Sequence, residues 1–417
     1  GEYRGRVGFG AYAWAPETFD WNEIEPVMAA RTLGPENIGL YFKIKRAVRY
    51  LGRAYSNLSP IDPDKNAKNQ DMKRRFIELK SAYEKLLDNY KDFQKQPQLA
   101  FFNERFSQRI IAQISKDVKT MSDIFESPDF VRAEVGKEVF YHGTHGIRRP
   151  KHIRLSLDSK LASYVLDWLA YVDENGSVRP NGRVSSALGM SRPSEPNWFK
   201  NGFFNLEVNG MSLGYAKPEF KVVNLSKDKQ AIEGFWRLDY ADVKITFSLT
   251  ENGALLMDGS IIPKGKKPNT LRIETYCVPS AGNWNWDPKS MEKCLLTSLG
   301  EYNNTSVPYI NIQKEHWLLF LDKINDYPFV NKDQKWPNES KGPCALMAAP
   351  ENISWMQVNM SNRFITTLIH YKKGTKRFRL LFYDLNKTKN KDAIEYFRKN
   401  GDKLFEGFNY KKEGAEK

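Results

Sequence analysis

The chain is poor in the residues from which most legible active sites are built. It has three cysteines and five histidines in 417 residues. Cys277, Cys294 and Cys344 lie far apart and form no C-x-x-C pair, which argues against zinc. Two readings of them stand: three buried thiols, or a bridge between Cys277 and Cys294 with Cys344 left over. No apolar run approaches the ~18 residues of a spanning helix. The opening GEYRGRVGFG has no hydrophobic signal region, although a matured or trimmed chain would have lost one. A glycine-rich phosphate loop, a nucleophile elbow and an H-E-x-x-H motif are all missing, and no cofactor is expected. Nor can a carboxylate pair for glycoside hydrolysis be singled out. No internal repeat is visible.

What is present describes a folded protein. Hydrophobic residues make up 41% and charged residues 27%, and the length allows two or three domains. The net charge is +14, and half of that excess falls in the last 47 residues. Such a balance suits an anionic partner, whether nucleic acid, acidic glycan or membrane surface; the plainer reading is a solvated basic surface. Acidic residues are interspersed throughout, and no RNA- or DNA-binding signature accompanies the lysines, so nucleic acid is disfavoured.

The period of the apolar residues changes along the chain. Up to about residue 125 they recur every three or four positions, which is helical spacing; from about residue 150 they alternate, which is the spacing of half-buried strands. The stretch Arg6 to Trp14 reads as a short strand. Asp20, with Glu23 three residues on, reads as a capping box opening a helix that stops at Gly34-Pro35. A second helix is expected over 35–58. A third carries the stripe Phe76, Leu79, Tyr83, Leu86, Tyr90 and Phe93, and a fourth runs from Phe102 to Phe125; these last two should pack as an antiparallel hairpin. Strands are expected at 152–157, 163–172, 204–208, 243–249, 255–262, 271–278, 353–360, 364–371 and 377–383, with hairpin turns at Asn209-Gly210 and Glu251-Asn252-Gly253. Residues 180–200 read as a long loop, and 391–405 as a closing helix. The fold class is α+β and multidomain: an N-terminal helical layer with its antiparallel helix hairpin, then a large supersandwich-like antiparallel β-sandwich with a C-terminal helix. The divisions are 1–130 for the strand remnant and helical domain, 131–200 for connecting strands and loops, and 201–417 for the sandwich.

Candidate sites are few. The loop Asn283-Trp284-Asn285-Trp286 alternates indoles and amides, which suits a sugar: flat rings stack on C–H faces while amides bond hydroxyls. Its plain alternative is that the indoles pack onto the sandwich edge. Trp198 and Trp336, in polar Pro/Asn contexts, would extend such a surface. Arg377 and Arg379 fall on one face of a strand and could meet sulfate or carboxylate groups, or simply guard a solvated edge. His142 and His145 are spaced for a metal only if a carboxylate joins them, and their flanking glycines suggest a linker; no metal is expected. Glu315 and His316 are adjacent, so on a strand they would point apart rather than act as one acid–base pair. His152 and His370 sit at strand ends without visible partners.

Two stretches carry a resemblance. Gly8 to Pro16, continuing through Arg31-Thr32-Leu33-Gly34-Pro35-Glu36, resembles the end of a glycoside-hydrolase TIM barrel, where a last strand carries a tryptophan and a helical layer follows. Lys341-Gly342-Pro343-Cys344-Ala345-Leu346 looks like part of the C-terminal sandwiches of bacterial carbohydrate-active proteins. The resemblance implies that the catalytic groups lie upstream, at the ends of earlier barrel strands, and that Trp14 lines a sugar pocket. It also implies a periplasmic or extracellular setting and a polysaccharide or oligosaccharide partner, anionic if the basic charge is used. The leading expectation is the accessory C-terminal portion of a polysaccharide-processing protein, without the catalytic carboxylates. Its alternatives are a complete lyase- or epimerase-like enzyme with its site on the sandwich, and a basic nucleic-acid scaffold.

Overall fold

The computed structural model describes residues 21–56, 65–95, 100–126, 131–140, 150–159, 161–180, 187–194, 197–198, 202–279, 292–303, 306–307, 309–323, 342–361 and 364–408. The chain divides into two compact units, the first comprising residues 1–54 and 66–127 and the second residues 55–65 and 128–417.

The first unit is helical: α1 (Trp21–Leu33), α2 (Ile38–Ser56), α3 (Lys65–Gln94) and α4 (Ala100–Glu126). Gly34 ends α1 with φ of 97°, a conformation that favours glycine, and its N–H returns to the Ala30 carbonyl at 3.0 Å. Asn37 then closes the junction, donating to the Leu33 carbonyl at 2.7 Å and accepting from Asn89 of α3 at 2.9 Å. The α3 stripe behaves as its spacing dictates. Phe76, Leu79, Leu86, Tyr90 and Phe93 are buried. Phe76 stacks on Phe125 at 5.1 Å, Tyr83 bonds Ser115 at 2.7 Å and Lys80 pairs with Glu126 at 2.5 Å, the pattern of an antiparallel helix pair. The expected opening strand and the Asp20 cap lie outside the described residues.

The second unit is built from strands. The first sheet comprises β1 (Val131–Val135), β2 (Val139–Phe140), β3 (Lys151–Ser159), β4 (Ser163–Val172), β5 (Val178–Pro180) and β6 (Gly189–Arg192). There follow β7 (Phe204–Val208), β8 (Met211–Ser212), β9 (Glu219–Asn224), β10 (Gln230–Arg237), β11 (Ala241–Leu249), β12 (Leu255–Pro263) and β13 (Leu271–Cys277). Then come β14 (Lys293–Thr297), β15 (Glu301–Asn303), β16 (Ser306–Val307), β17 (Leu318–Asp322), β18 (Cys344–Ala348), β19 (Ile353–Met360), β20 (Ile365–Tyr371) and β21 (Arg377–Asp384). A nine-stranded second sheet runs β15-β14-β17-β18-β21-β12-β11-β10-β9, and a six-stranded third sheet runs β16-β19-β20-β13-β7-β8. All named pairings are antiparallel, as hairpin connections allow.

Leu188 bridges to Phe204, so the first and third sheets meet edge to edge. Both contribute apolar faces to one core shared with the second sheet, in which Leu166, Trp168, Leu206, Ile273, Ile369, Ile245 and Phe382 are all buried. The opposite side of the second sheet, at β14, β17, β18 and β21, is covered by α5 (Asn390–Phe408). Ala393, Phe397, Phe405 and Phe408 of α5 pack there with Leu319, Met347 and Tyr383. Each buried phenylalanine contributes roughly 2 kcal/mol. Gly401 allows the approach, because a methyl at that position would overlap the Trp317 indole.

Two expectations are corrected. Residues 180–200 are not simply a surface loop, since they contain β6 and then the buried Asn197 and Trp198. Trp198 therefore does not extend a sugar-binding surface. Its ring is fully buried edge-on to Phe382 at 4.9 Å, and its Nε1 donates to the Tyr383 carbonyl at 2.9 Å. The indole has a backbone acceptor in the core.

Candidate functional site

The outer face of the third sheet gathers the exposed aromatic and polar groups best suited to a ligand. On β13 the side chains of Leu271, Ile273 and Thr275 turn inward, so Arg272, Glu274 and Tyr276 turn outward. Pairing sets their neighbours. One row crosses the sheet as Trp355, His370, Arg272, Glu207 and Ser212; the next holds Gln357, Leu368, Glu274 and Asn205.

Trp355 reaches this face through an irregularity in β19. The register slips between Ile353 and Trp355, so Ile353 and Met356, three apart, both face the core while Ser354 and Trp355 both face solvent. Trp355 is 37% exposed, and its ring lies on His370 at 3.8 Å and 14°. Ser354 Oγ donates to the His370 carbonyl at 2.9 Å and fixes the kink. At the far corner Tyr276 stacks on Phe364 at 4.9 Å.

The electrostatics follow from the pairing. Arg272 donates to Glu207 at 2.7 Å. Partial burial, reinforced by the Arg272 charge, holds the His370 imidazole below its ordinary value, so it is uncharged at neutral pH. Glu274 is held above the ordinary carboxylate value by partial burial, with Glu207 adding to the shift and Arg272 opposing it. The arrangement offers a flat apolar ring beside hydroxyl-bonding carboxylate and amide groups.

A second polar cluster lies inside the sandwich. Asp384 accepts from Ser194 at 2.9 Å and from Asn197 at 3.1 Å, and its own N–H donates to the Tyr164 hydroxyl at 3.2 Å. Burial pushes the Asp384 carboxyl up to about 7, against the pull of those two side-chain bonds. Close by in sequence to the loop of indoles, Lys293 pairs with Asp322 at 2.9 Å, both wholly buried. Lys293 also donates to the Pro279 carbonyl at 2.8 Å, and the Glu292 N–H donates to Asp322 at 3.1 Å.

The remaining candidates are placed as follows. Trp14, Asn283, Trp284, Asn285, Trp286, Trp336, His142 and His145 lie outside the described residues. Arg377 is exposed, whereas Arg379 is held by Asp258 at 2.6 Å and by the Phe408 carbonyl at 3.2 Å. Glu315 and His316 lie in a loop rather than a strand, and their side chains bond different partners. Glu315 is buried and accepts from Thr297 at 2.8 Å and from the Asn311 N–H at 2.7 Å. His316 stacks on Phe405 at 4.3 Å. His152 does have a partner, lying 2.6 Å from Asp167 across the β3–β4 pair. The three cysteines are free buried thiols; Cys277 and Cys344 belong to the shared core and Cys294 to the α5 side. Among the described residues no three His, Cys, Asp or Glu side chains converge to hold a metal ion, and no helix is long and apolar enough to cross a membrane.

Sequence reasoning missed the Trp355 face because its members come from four separated strands. The available signal was Trp355 itself, an indole next to serine in a strand that breaks its own alternation.

The fold is thus an α+β chain with a helical unit and a layered antiparallel β unit. No protein-family model matches it, and no curated protein matches it. Among solved structures it is similar to the α-N-acetylgalactosaminidase NagBb from Bifidobacterium bifidum, at 6% identity over 64% of this chain and 39% of that one, with a TM-score of 0.34. It is similar to a mutant of the heparan sulfate lyase HepC from Pedobacter heparinus, at 9% identity over 85% of this chain and 56% of that one, with a TM-score of 0.29. A heparinase III, the BT4657 gene product, matches at 8% identity over 84% of this chain and 59% of that one, with a TM-score of 0.30. The chain spans less than two-thirds of the length of each of these three, and the likeness is one of distant architecture.

Proposed function

We propose that this chain is a glycan-binding accessory portion of a polysaccharide-processing protein, working in the periplasm or outside the cell. The observation that carries the reading is the exposed Trp355 indole, propped on His370 and bordered by Gln357, Arg272, Glu207 and Glu274. A sugar ring stacks its C–H face on such an indole while its hydroxyls meet the flanking polar groups. The accessory role is favoured by the occupation of the other prominent carboxylates: Glu315, Asp258, Asp322 and Asp384 all serve internal bonds. Trp284 and Trp286, with Asn283 and Asn285, belong to the connection that follows β13 and add to the same reading; Trp14 would line a pocket only together with an upstream barrel.

Electrophoresis through gels containing soluble polysaccharide tests the proposal. Retardation by at least one glycan is expected, and Trp355→Ala should abolish it while leaving the unfolding midpoint in urea unchanged. Turnover of glycans by the isolated chain, or binding indifferent to Trp355→Ala and to Trp284→Ala with Trp286→Ala, would sink it.

A further inference from the structure

The charge on the Trp355 face narrows the ligand class, an inference that rests on the glycan-binding reading above. Along β16, β19, β20, β13, β7 and β8 the histidine, arginine, lysine and carboxylate side chains that line the outer face are His370, Arg272, Glu207 and Glu274. Arg272 is the one lasting cation among them, and its guanidinium is already engaged by Glu207 at 2.7 Å. A sulfate or uronate approaching Arg272 would meet Glu207, already bonded to that guanidinium, and then Glu274, two residues along β13 on the same face. Like charges at such spacing repel, and Glu207 already offsets the charge of the guanidinium that it bonds. Sugar hydroxyls have no such conflict: they donate to Glu207 and Glu274 and accept from Gln357 and Arg272. The row geometry also fits a chain rather than a single ring. Neighbouring strands lie ~4.8 Å apart, close to the length of one pyranose unit. A glycan lying across the strands can therefore set successive rings over β19, β20, β13 and β7.

We infer that this face binds a neutral, hydroxyl-rich glycan chain crossing β19, β20, β13 and β7, with one ring on Trp355, and that it rejects sulfated and uronic-acid chains. Half of the excess basic charge of the protein falls in the last 47 residues, after the strand that carries His370 and outside these six strands, so overall charge does not report on this site.

The experiment uses the full chain and two sets of probes at physiological salt. The neutral set is soluble mixed-linkage β-glucan, xylan and galactomannan; the anionic set is heparin and polygalacturonate. Titration calorimetry should find a neutral chain whose affinity falls at least tenfold in Trp355→Ala. Any binding of heparin should be the same in wild type and Trp355→Ala, marking it as basic surface elsewhere. The double variant Glu207→Gln with Glu274→Gln should gain polygalacturonate binding that a further Trp355→Ala removes. Wild-type binding of an anionic chain that depends on Trp355 would overturn this inference while leaving the glycan reading intact. So would failure of the double variant to gain such binding. Absence of binding to every probe in both sets would overturn both.

Discussion

Replacing Asp384 by asparagine should change how stability depends on pH more than stability itself. The folded carboxyl titrates at about 7, whereas an unfolded aspartate titrates near ~3.9. The difference of about three units corresponds to roughly 4 kcal/mol. Its sign follows from proton binding. Between ~4 and about 7 the folded chain holds a proton that the unfolded chain has released, so the Asp384 contribution is fully present below ~4 and is lost as pH rises through about 7. The asparagine of the variant carries no charge, so it adds no slope. Urea unfolding at pH 5, 6, 7 and 8, followed by tryptophan fluorescence, reads the difference. Trp198 is a suitable local reporter because its Nε1 donates to the carbonyl of Tyr383, the residue before Asp384. Glu274, Asp158 and His370 also titrate with shifted values, but they are common to both proteins and cancel in the comparison. The wild type should lose stability relative to Asp384→Asn between pH 5 and pH 8, by a few kcal/mol in total. Parallel pH profiles for the two proteins would refute the reasoning.

Other expectations are simpler to check. Gly401→Ala should lift α5 from Trp317 and cost about 1–3 kcal/mol in urea unfolding, with the helical unit unaffected. Lys293→Met should cost about 3–5 kcal/mol, because it leaves Asp322 buried without its cation, and adding Asp322→Leu should recover much of that loss. The three thiols should resist Ellman's reagent at pH 8 in the native protein and all react in urea, since they are buried and burial pushes the Cys294 thiol up to about 12. Arg379→Gln should lower stability by about 1–2 kcal/mol through loss of Asp258 and Phe408, with glycan affinity unchanged.

The strands that the sequence reveals are those with one wet side. β11 and β12 alternate cleanly because α5 does not cover that end of the second sheet, and the Asn209-Gly210 turn appears where both residues take positive φ. β14, β17 and β18 are silent for the opposite reason. Every residue in each is buried, between the shared core on one side and α5 on the other, so no period of two is written in them. Trp198 misleads because its neighbours are polar, and only the fold shows that Asn197 and Ser194 spend their polarity on Asp384. The Trp355 face is illegible for a third reason: Glu207, Arg272, Trp355 and His370 become neighbours only when β7, β13, β19 and β20 pair.

The Lys293–Asp322 pair gives the sandwich a particular kind of freedom. Pro279, Glu292, Lys293 and Asp322 bind one another at the point where the chain leaves the third sheet and enters the second. None of the four belongs to residues 280–291, and their bonds fasten together the two ends of that connection. That makes 280–291 a natural cassette: its sequence can be exchanged, lengthened or retargeted while the fastening stays the same. Relatives of this chain would then be expected to keep the lysine and the aspartate while varying freely the residues that the pair encloses.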